Sequence, residues 1–146
     1  MLLENRKARW NFELQEKLEA GIELLGFEVK ALRQKHGSLE GAYVIVRGNE
    51  AFLVNTFIPP YQQKNTPTSY DPRRNRKLLL TKKEVRELAA TEGTKGLTIV
   101  PISVYNKGRK IKVELAIARG KKQFDKRETL KRRESEREMR RTLKYT

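Results

Sequence analysis

Ile111-Lys-Val-Glu-Leu-Ala-Ile-Ala-Arg-Gly-Lys-Lys-Gln-Phe-Asp-Lys-Arg127 is the stretch on which the reading of this chain turns. Ile111, Val113, Leu115 and Ile117 alternate with Lys110, Lys112, Glu114 and Ala116. A period of two predicts a strand with one face in a core. The alternation stops at Arg119-Gly120. From Arg119 to Thr146, twelve Lys/Arg stand against five Asp/Glu, a local excess of seven positive charges with few apolar residues. A folded body over residues 1–120 is expected, followed by a basic tail over 121–146.

Working back from that strand, Asn106-Lys107-Gly108 predicts a hairpin turn from an apolar strand at Leu97–Tyr105. Pro101 places itself at an edge or a bulge, because it cannot donate to a ladder. Thr81 and Glu84 have the spacing of a reciprocal helix cap, with Leu80 and Val85 as the staple. Val85, Leu88 and Ala89 form the stripe of that helix, and Gly93 stops it. Pro59, Pro60, Pro67 and Pro72 mark a long loop to Asn75. Ala42–Val46 and Ala51–Val54 read as strands joined at Gly48-Asn49, where a tight turn needs positive φ. Leu25, Val29 and Leu32 suggest a short helix, Gly26–Gln34, with those three side chains on the body. Trp10, Phe12, Leu14 and Leu18 predict a first strand from Arg9 to Ala20, with a bend or bulge at Gly21.

Short strands joined by hairpins, with two or three short helices, are most economically closed into a barrel, since closure removes exposed edges. The expected fold is mainly β: a closed oligonucleotide-binding-type barrel of about six strands with three helices. An open α+β sheet is the alternative.

The 146 residues carry 33 Lys/Arg and 18 Asp/Glu, a formal charge of +15. That excess predicts a polyanionic partner, nucleic acid before an anionic membrane or an acidic protein. No cysteine and one histidine, His36, leave no disulfide, thiolate site or histidine cluster, so no metal or cofactor is expected. No apolar run has the length of a signal peptide or a membrane span, which predicts a cytoplasmic protein without a membrane partner.

Three features carry candidate chemistry. Arg73, Arg74, Arg76 and Lys77, with Asn75 among them, concentrate positive charge beside a helix start; phosphates are the natural ligand, and a solvated loop is the plainer reading. Arg119, Lys121, Lys122, Asp125, Lys126 and Arg127 surround Gly120 and Phe124. Phe124 either stacks on a base or tucks back onto the body. Glu13, Glu16 and Glu19 lack a nearby nucleophile, base cluster or metal ligand, which argues against catalysis. A carboxylate in a basic surface can still accept hydrogen bonds from base amines or a 2′-hydroxyl. No Gly-rich phosphate loop is present. Two other readings follow from composition alone: a general basic RNA-packaging module, and an RNA-processing enzyme, for which no reactive constellation is legible.

Asn5-Arg-Lys-Ala-Arg9, Glu19-Ala-Gly21, Gly26-Phe-Glu-Val-Lys-Ala-Leu-Arg33, Arg76-Lys-Leu-Leu-Leu80, Lys95-Gly-Leu-Thr-Ile-Val-Pro101 and Arg119–Arg127 occur in an ordered set. In that order and spacing they resemble the bacterial small protein B family of SsrA-binding proteins, over nearly the whole chain. The resemblance implies an adaptor, not an enzyme, with an oligonucleotide-binding-type barrel. It implies binding to the tRNA-like domain of transfer-messenger RNA and delivery to stalled ribosomes, with elongation factor Tu a partner through the shared RNA. It places the position of Glu19 and the segment Leu79–Thr81 on the RNA-binding face. Thr81 stands where relatives often carry asparagine. The resemblance assigns Arg119, Lys121, Lys122, Asp125, Lys126 and Arg127 to ribosomal engagement. The tail, disordered alone and helical on the ribosome, would enter the empty message channel. Phe124 stands where some relatives carry histidine.

Overall fold

The computed structural model describes residues 1–62 and 66–120. Ten elements follow one another: β1 (Leu3–Glu4), α1 (Arg6–Asn11), β2 (Phe12–Ile22), α2 (Gly26–Arg33), β3 (Tyr43–Arg47), β4 (Glu50–Val54), β5 (Arg76–Leu79), α3 (Lys82–Glu92), β6 (Leu97–Lys107) and β7 (Lys110–Gly120). All seven strands join one antiparallel sheet in the order β1-β6-β7-β2-β5-β4-β3.

The sheet is not closed, which corrects the closed six-stranded barrel expected from sequence. β3 and β6 approach closely, yet no ladder joins them among the described residues. α3 packs against both strands instead, and its Glu92 accepts from the outward Val46 amide at 2.8 Å and from Arg47. A helix therefore covers the edge that a closing ladder would have removed, a second physical solution to the same problem.

The curled sheet holds one core. Leu53, Ile99, Val113 and Leu115 project into it from the strands, and Leu32 and Leu88 from α2 and α3. A smaller cluster forms on the opposite face, where α1 lays Ala8 over Val100, Ile102, Ala116 and Ala118. Asn5 holds α1 there. Its Oδ1 caps the Ala8 amide, and its Nδ2 donates to Pro101 at 2.8 Å and to Leu39 at 3.3 Å.

Local chemistry explains most elements. Gly48 and Asn49 take φ of 58° and 62°, the mirror-image turn that matches strand twist. Thr81 and Glu84 form the expected reciprocal cap at 3.2 and 3.0 Å. Pro101 sits beside a register shift in β6.

Other expectations moved. Arg9–Asn11 end α1, so β2 begins at Phe12, and its bulge lies at Gln15 instead of Gly21. The last hairpin turns at Gly108-Arg109. Leu25 is the exposed N-cap of α2, while Glu28 and Ala31 take the buried places. Ala89 faces solvent. Arg76 and Lys77, read as loop, begin β5.

Candidate nucleic-acid interface

The outer face of the sheet is divided. α1 covers the part around Ala116 and Ala118, and among the described residues no helix packs on the part around β2 residues Glu19–Gly21. Strand register defines the bare part. Leu79 of β5 lies opposite Gly21 of β2, Gly21 opposite Lys112 of β7, and Lys112 opposite Tyr105 of β6. Directly opposed residues share a face, so these four form one row across four strands. Glu19, two residues from Gly21, projects from the same face.

Glu19 is bracketed. The Tyr105 hydroxyl donates to its Oε2, and Lys107 Nζ lies 3.0 Å from its Oε1. These hydrogen bonds, Tyr105 first and Lys107 second, hold the Glu19 carboxyl below its ordinary range. Burial, then the Glu19 acceptor, pushes the Tyr105 phenol up to about 12. At neutral pH the site thus presents a fixed anion with lone pairs still facing solvent, beside Lys107 and Lys112 and opposite a second carboxylate, Glu114, which pairs with Lys17 at 3.6 Å. That arrangement suits base amines and 2′-hydroxyls, which phosphate-binding cations alone do not select.

Leu79 is 50% exposed beside the row. Thr81, two residues on, is exposed, and its Oγ1 accepts from the Glu84 amide, leaving its O–H free to donate outward. Lys77 shares the outer face of β5 with Leu79 and pairs with Glu50 at 3.3 Å. The structure therefore brings Glu19, Lys77, Leu79 and Thr81 onto one side of the sheet.

The arginines separate. Arg76 is fully buried. Its Nε donates to Glu28 Oε2 at 2.8 Å, and its Nη1 to the Thr56 and Arg74 carbonyls at 2.7 and 3.1 Å. Its Nη2 donates to the Tyr70 hydroxyl and the Pro72 carbonyl, both at 3.0 Å. All five guanidinium donors are used, so Arg76 is a structural residue and leaves the set of RNA contacts expected from sequence. Arg74, partly exposed, bonds the other oxygen of Glu28. Arg73 lies on the surface, 5.3 Å from the centre of the Phe57 ring and 3.2 Å from Asn55 Oδ1.

Glu28 is the hub of this network. Burial alone would raise its pKa, but Arg74, the Leu25 amide, Arg76 and Tyr70 outweigh it and hold the carboxyl below its usual range. Tyr70 in turn stands edge-on to Phe27, ring centres 4.7 Å apart. Tyr70 and Arg74 thereby strap the end of the loop before β5 to α2, which delivers β5 to the bare face.

Arg119 is exposed near the end of β7, opposite Glu13 and Leu97. Lys121, Lys122, Phe124, Asp125, Lys126 and Arg127 lie outside the described residues, as does the expected tail. Eight residues of strand separate Lys112 from Gly120, roughly 26 Å at the rise of a β-strand. Gly120, the last described residue, therefore stands at the far end of β7 from the row.

Sequence reasoning missed Tyr105, Lys107 and Lys112. Alternation put Lys112 on an outer face, but only the β2–β7–β6 register shows that these residues meet Glu19.

The model of the SmpB protein family matches residues 2–145. The SsrA-binding protein of Microcystis aeruginosa is 46% identical over 144 residues, covering 99% of this chain and 94% of that protein. The SsrA-binding protein of Levilactobacillus brevis is 46% identical over 145 residues, with coverage of 99% and 92%. A solved structure described as "tmRNA-SmpB: a journey to the center of the bacterial ribosome" is 45% identical. It aligns with a TM-score of 0.70 over 83% of this chain and 85% of that one. With a register-built polar row on a basic sheet and a family match across nearly its whole length, the chain belongs to the SmpB protein family.

Proposed function

We propose that the protein binds the tRNA-like domain of transfer-messenger RNA and delivers that RNA to stalled ribosomes for trans-translation. The nascent chain is then tagged for degradation and the ribosome released. The observation that carries this reading is the bare half of the sheet, where Gly21, Leu79, Lys112 and Tyr105 stand in register with Glu19 on the same face, on a chain of this family. Such a face holds a folded RNA by shape and 2′-hydroxyl contacts, while the charge of +15 supplies affinity without selectivity.

The sheet serves as an oligonucleotide-binding-type platform in the cytoplasm, and the protein is an adaptor; the RNA and the ribosome perform the chemistry. Elongation factor Tu joins through the shared RNA. Glu19, Lys77, Leu79, Thr81 and Arg73 contact RNA, and Arg74 reaches it from the strap. Arg119, Lys121, Lys122, Asp125, Lys126 and Arg127 engage the ribosome, with the tail in the vacant message channel. The position of Gly120, far along β7 from the RNA row, supports that division of labour.

Competition binding at physiological salt tests the reading. Labelled tRNA-like RNA should resist displacement by unrelated duplexes and transfer RNAs. Equal displacement by all of them would reduce the protein to a general basic module.

A further inference from the structure

Beyond the polar row, the same end of the sheet carries an open groove of about 330 Å³. Ile22, Leu24 and Val29 supply its apolar walls, and exposed Leu79 forms its lip. Arg109, Lys110 and Lys112 stand around it, and among the described residues no acidic side chain lines it. Arg33 Nη2 donates to the Arg109 carbonyl at 3.0 Å and so fastens the turn that carries two of these cations to α2.

Gly21 opens the groove toward the polar row. Its φ is not among the positive values in this chain, so backbone conformation does not demand glycine there. Space does. A Cβ at position 21 would lie 3.1 Å from Leu79 Cβ and 3.5 Å from Lys112 Nζ. A strand-interior glycine sacrifices packing and chain entropy, and close approach of a ligand is one physical reason to keep it.

We propose that this groove takes a single unstacked nucleobase of the bound RNA, with the adjoining phosphates on Arg109, Lys110 and Lys112. The inference rests on the RNA-binding reading above and specifies one contact within it. Apolar walls suit the face of a base, and cations at the mouth suit the backbone on either side. Among the described residues, the polar side chains in the lining are all cations, and they donate without offering an acceptor for base amines. The groove therefore selects a splayed-out base by geometry and tolerates its identity. Selection by functional group falls to Glu19 and its neighbours. Membership of the RNA face is supported by continuity: Gly21, Leu79 and Lys112 belong both to the row and to the groove.

The test pairs protein variants with an abasic scan of the tRNA-like RNA, using the full chain. With the unaltered protein, removing one particular base should weaken binding by about tenfold, within the range of base-stacking contributions. Val29→Met fills the groove from α2 while keeping helix propensity. Against it, the same abasic position should cost nothing further. Gly21→Ala, which crowds the lip, should reduce that penalty too and supplies the same cycle should Val29→Met melt early. Lys110→Gln should weaken intact and abasic RNA equally and lower the salt slope by about one. Abasic penalties identical in the unaltered and groove-filled proteins would overturn the proposal. So would an absence of any sensitive position in an RNA that the unaltered protein still prefers over duplex. If the unaltered protein shows no such preference, the RNA-adaptor reading has failed first, and the groove falls with it.

Discussion

Replacing Arg76 by methionine separates structure from RNA contact most sharply. Methionine keeps the aliphatic bulk of the side chain and removes all five donors. The change strands Glu28 in a place with no solvent exposure, with only Arg74, Tyr70 and the Leu25 amide left to stabilise its charge. It also removes a donor from each of the Thr56, Pro72 and Arg74 carbonyls. Breaking a buried ion pair from one side typically costs about 3–5 kcal/mol. Domains of this size have about 5–15 kcal/mol in total. At about 4 °C per kcal/mol, the midpoint of thermal unfolding should fall by roughly 12–20 °C. Thermal unfolding followed by circular dichroism measures this. RNA affinity measured well below the new midpoint should stay close to that of the unaltered protein. Glu28→Gln combined with Arg76→Met should recover part of the loss, because no buried charge is then left unpaired. An unchanged midpoint with a large loss of RNA affinity would refute the buried-network assignment and return Arg76 to the RNA face.

Three further outcomes follow from the same geometry. Glu19→Ala raises the formal charge from +15 to +16 yet should weaken binding to the tRNA-like RNA. Tyr105→Phe should weaken it in the same direction, and the double variant should be no worse than Glu19→Ala alone; a filter-binding cycle reads this coupling. Thr81→Ala removes the cap on Glu84 and should cost about 1 kcal/mol in urea unfolding. The depressed pKa of Glu28 means that its stabilising contribution is present above the unfolded-state value of about 4.3 and is lost as pH falls through the lower folded-state value. Glu28→Gln, although less stable at pH 7, should therefore lose less stability on acidification than the unaltered protein, as denaturation at stepped pH would show.

What was legible in the sequence was local. The alternation of Ile111–Leu115, the Gly48-Asn49 turn and the Thr81–Glu84 cap each depend on residues close in the chain, and each appears as expected; beyond Leu115 the pattern breaks, because α1 buries Ala116 and Ala118 on the other face. What was not legible depends on distant pairing. β1 has two residues and β5 has four, too short for a period to declare itself against a basic loop and the start of a helix. α1 is a six-residue helix whose cap, Asn5, is fixed by carbonyls at Leu39 and Pro101. Arg76 looked like a member of a cationic loop because its acceptors come from Glu28 and from loop carbonyls that no spacing rule connects. Closure failed for the same reason. The seam between β3 and β6 is covered through Glu92, whose partners Val46 and Arg47 lie far off in sequence. At the site, Glu19 was one of three candidate carboxylates that family resemblance then singled out, Leu79 entered through resemblance alone, and Tyr105 and Lys107 required the strand register.

The most direct measurement compares the full chain with one ended after Lys122, reading RNA affinity and tagging on stalled ribosomes in the same preparation. The account predicts affinity for the tRNA-like RNA near that of the full chain, with tagging abolished. Loss of RNA affinity on truncation, or tagging that survives it, would contradict the division between the sheet and the segment beyond Gly120.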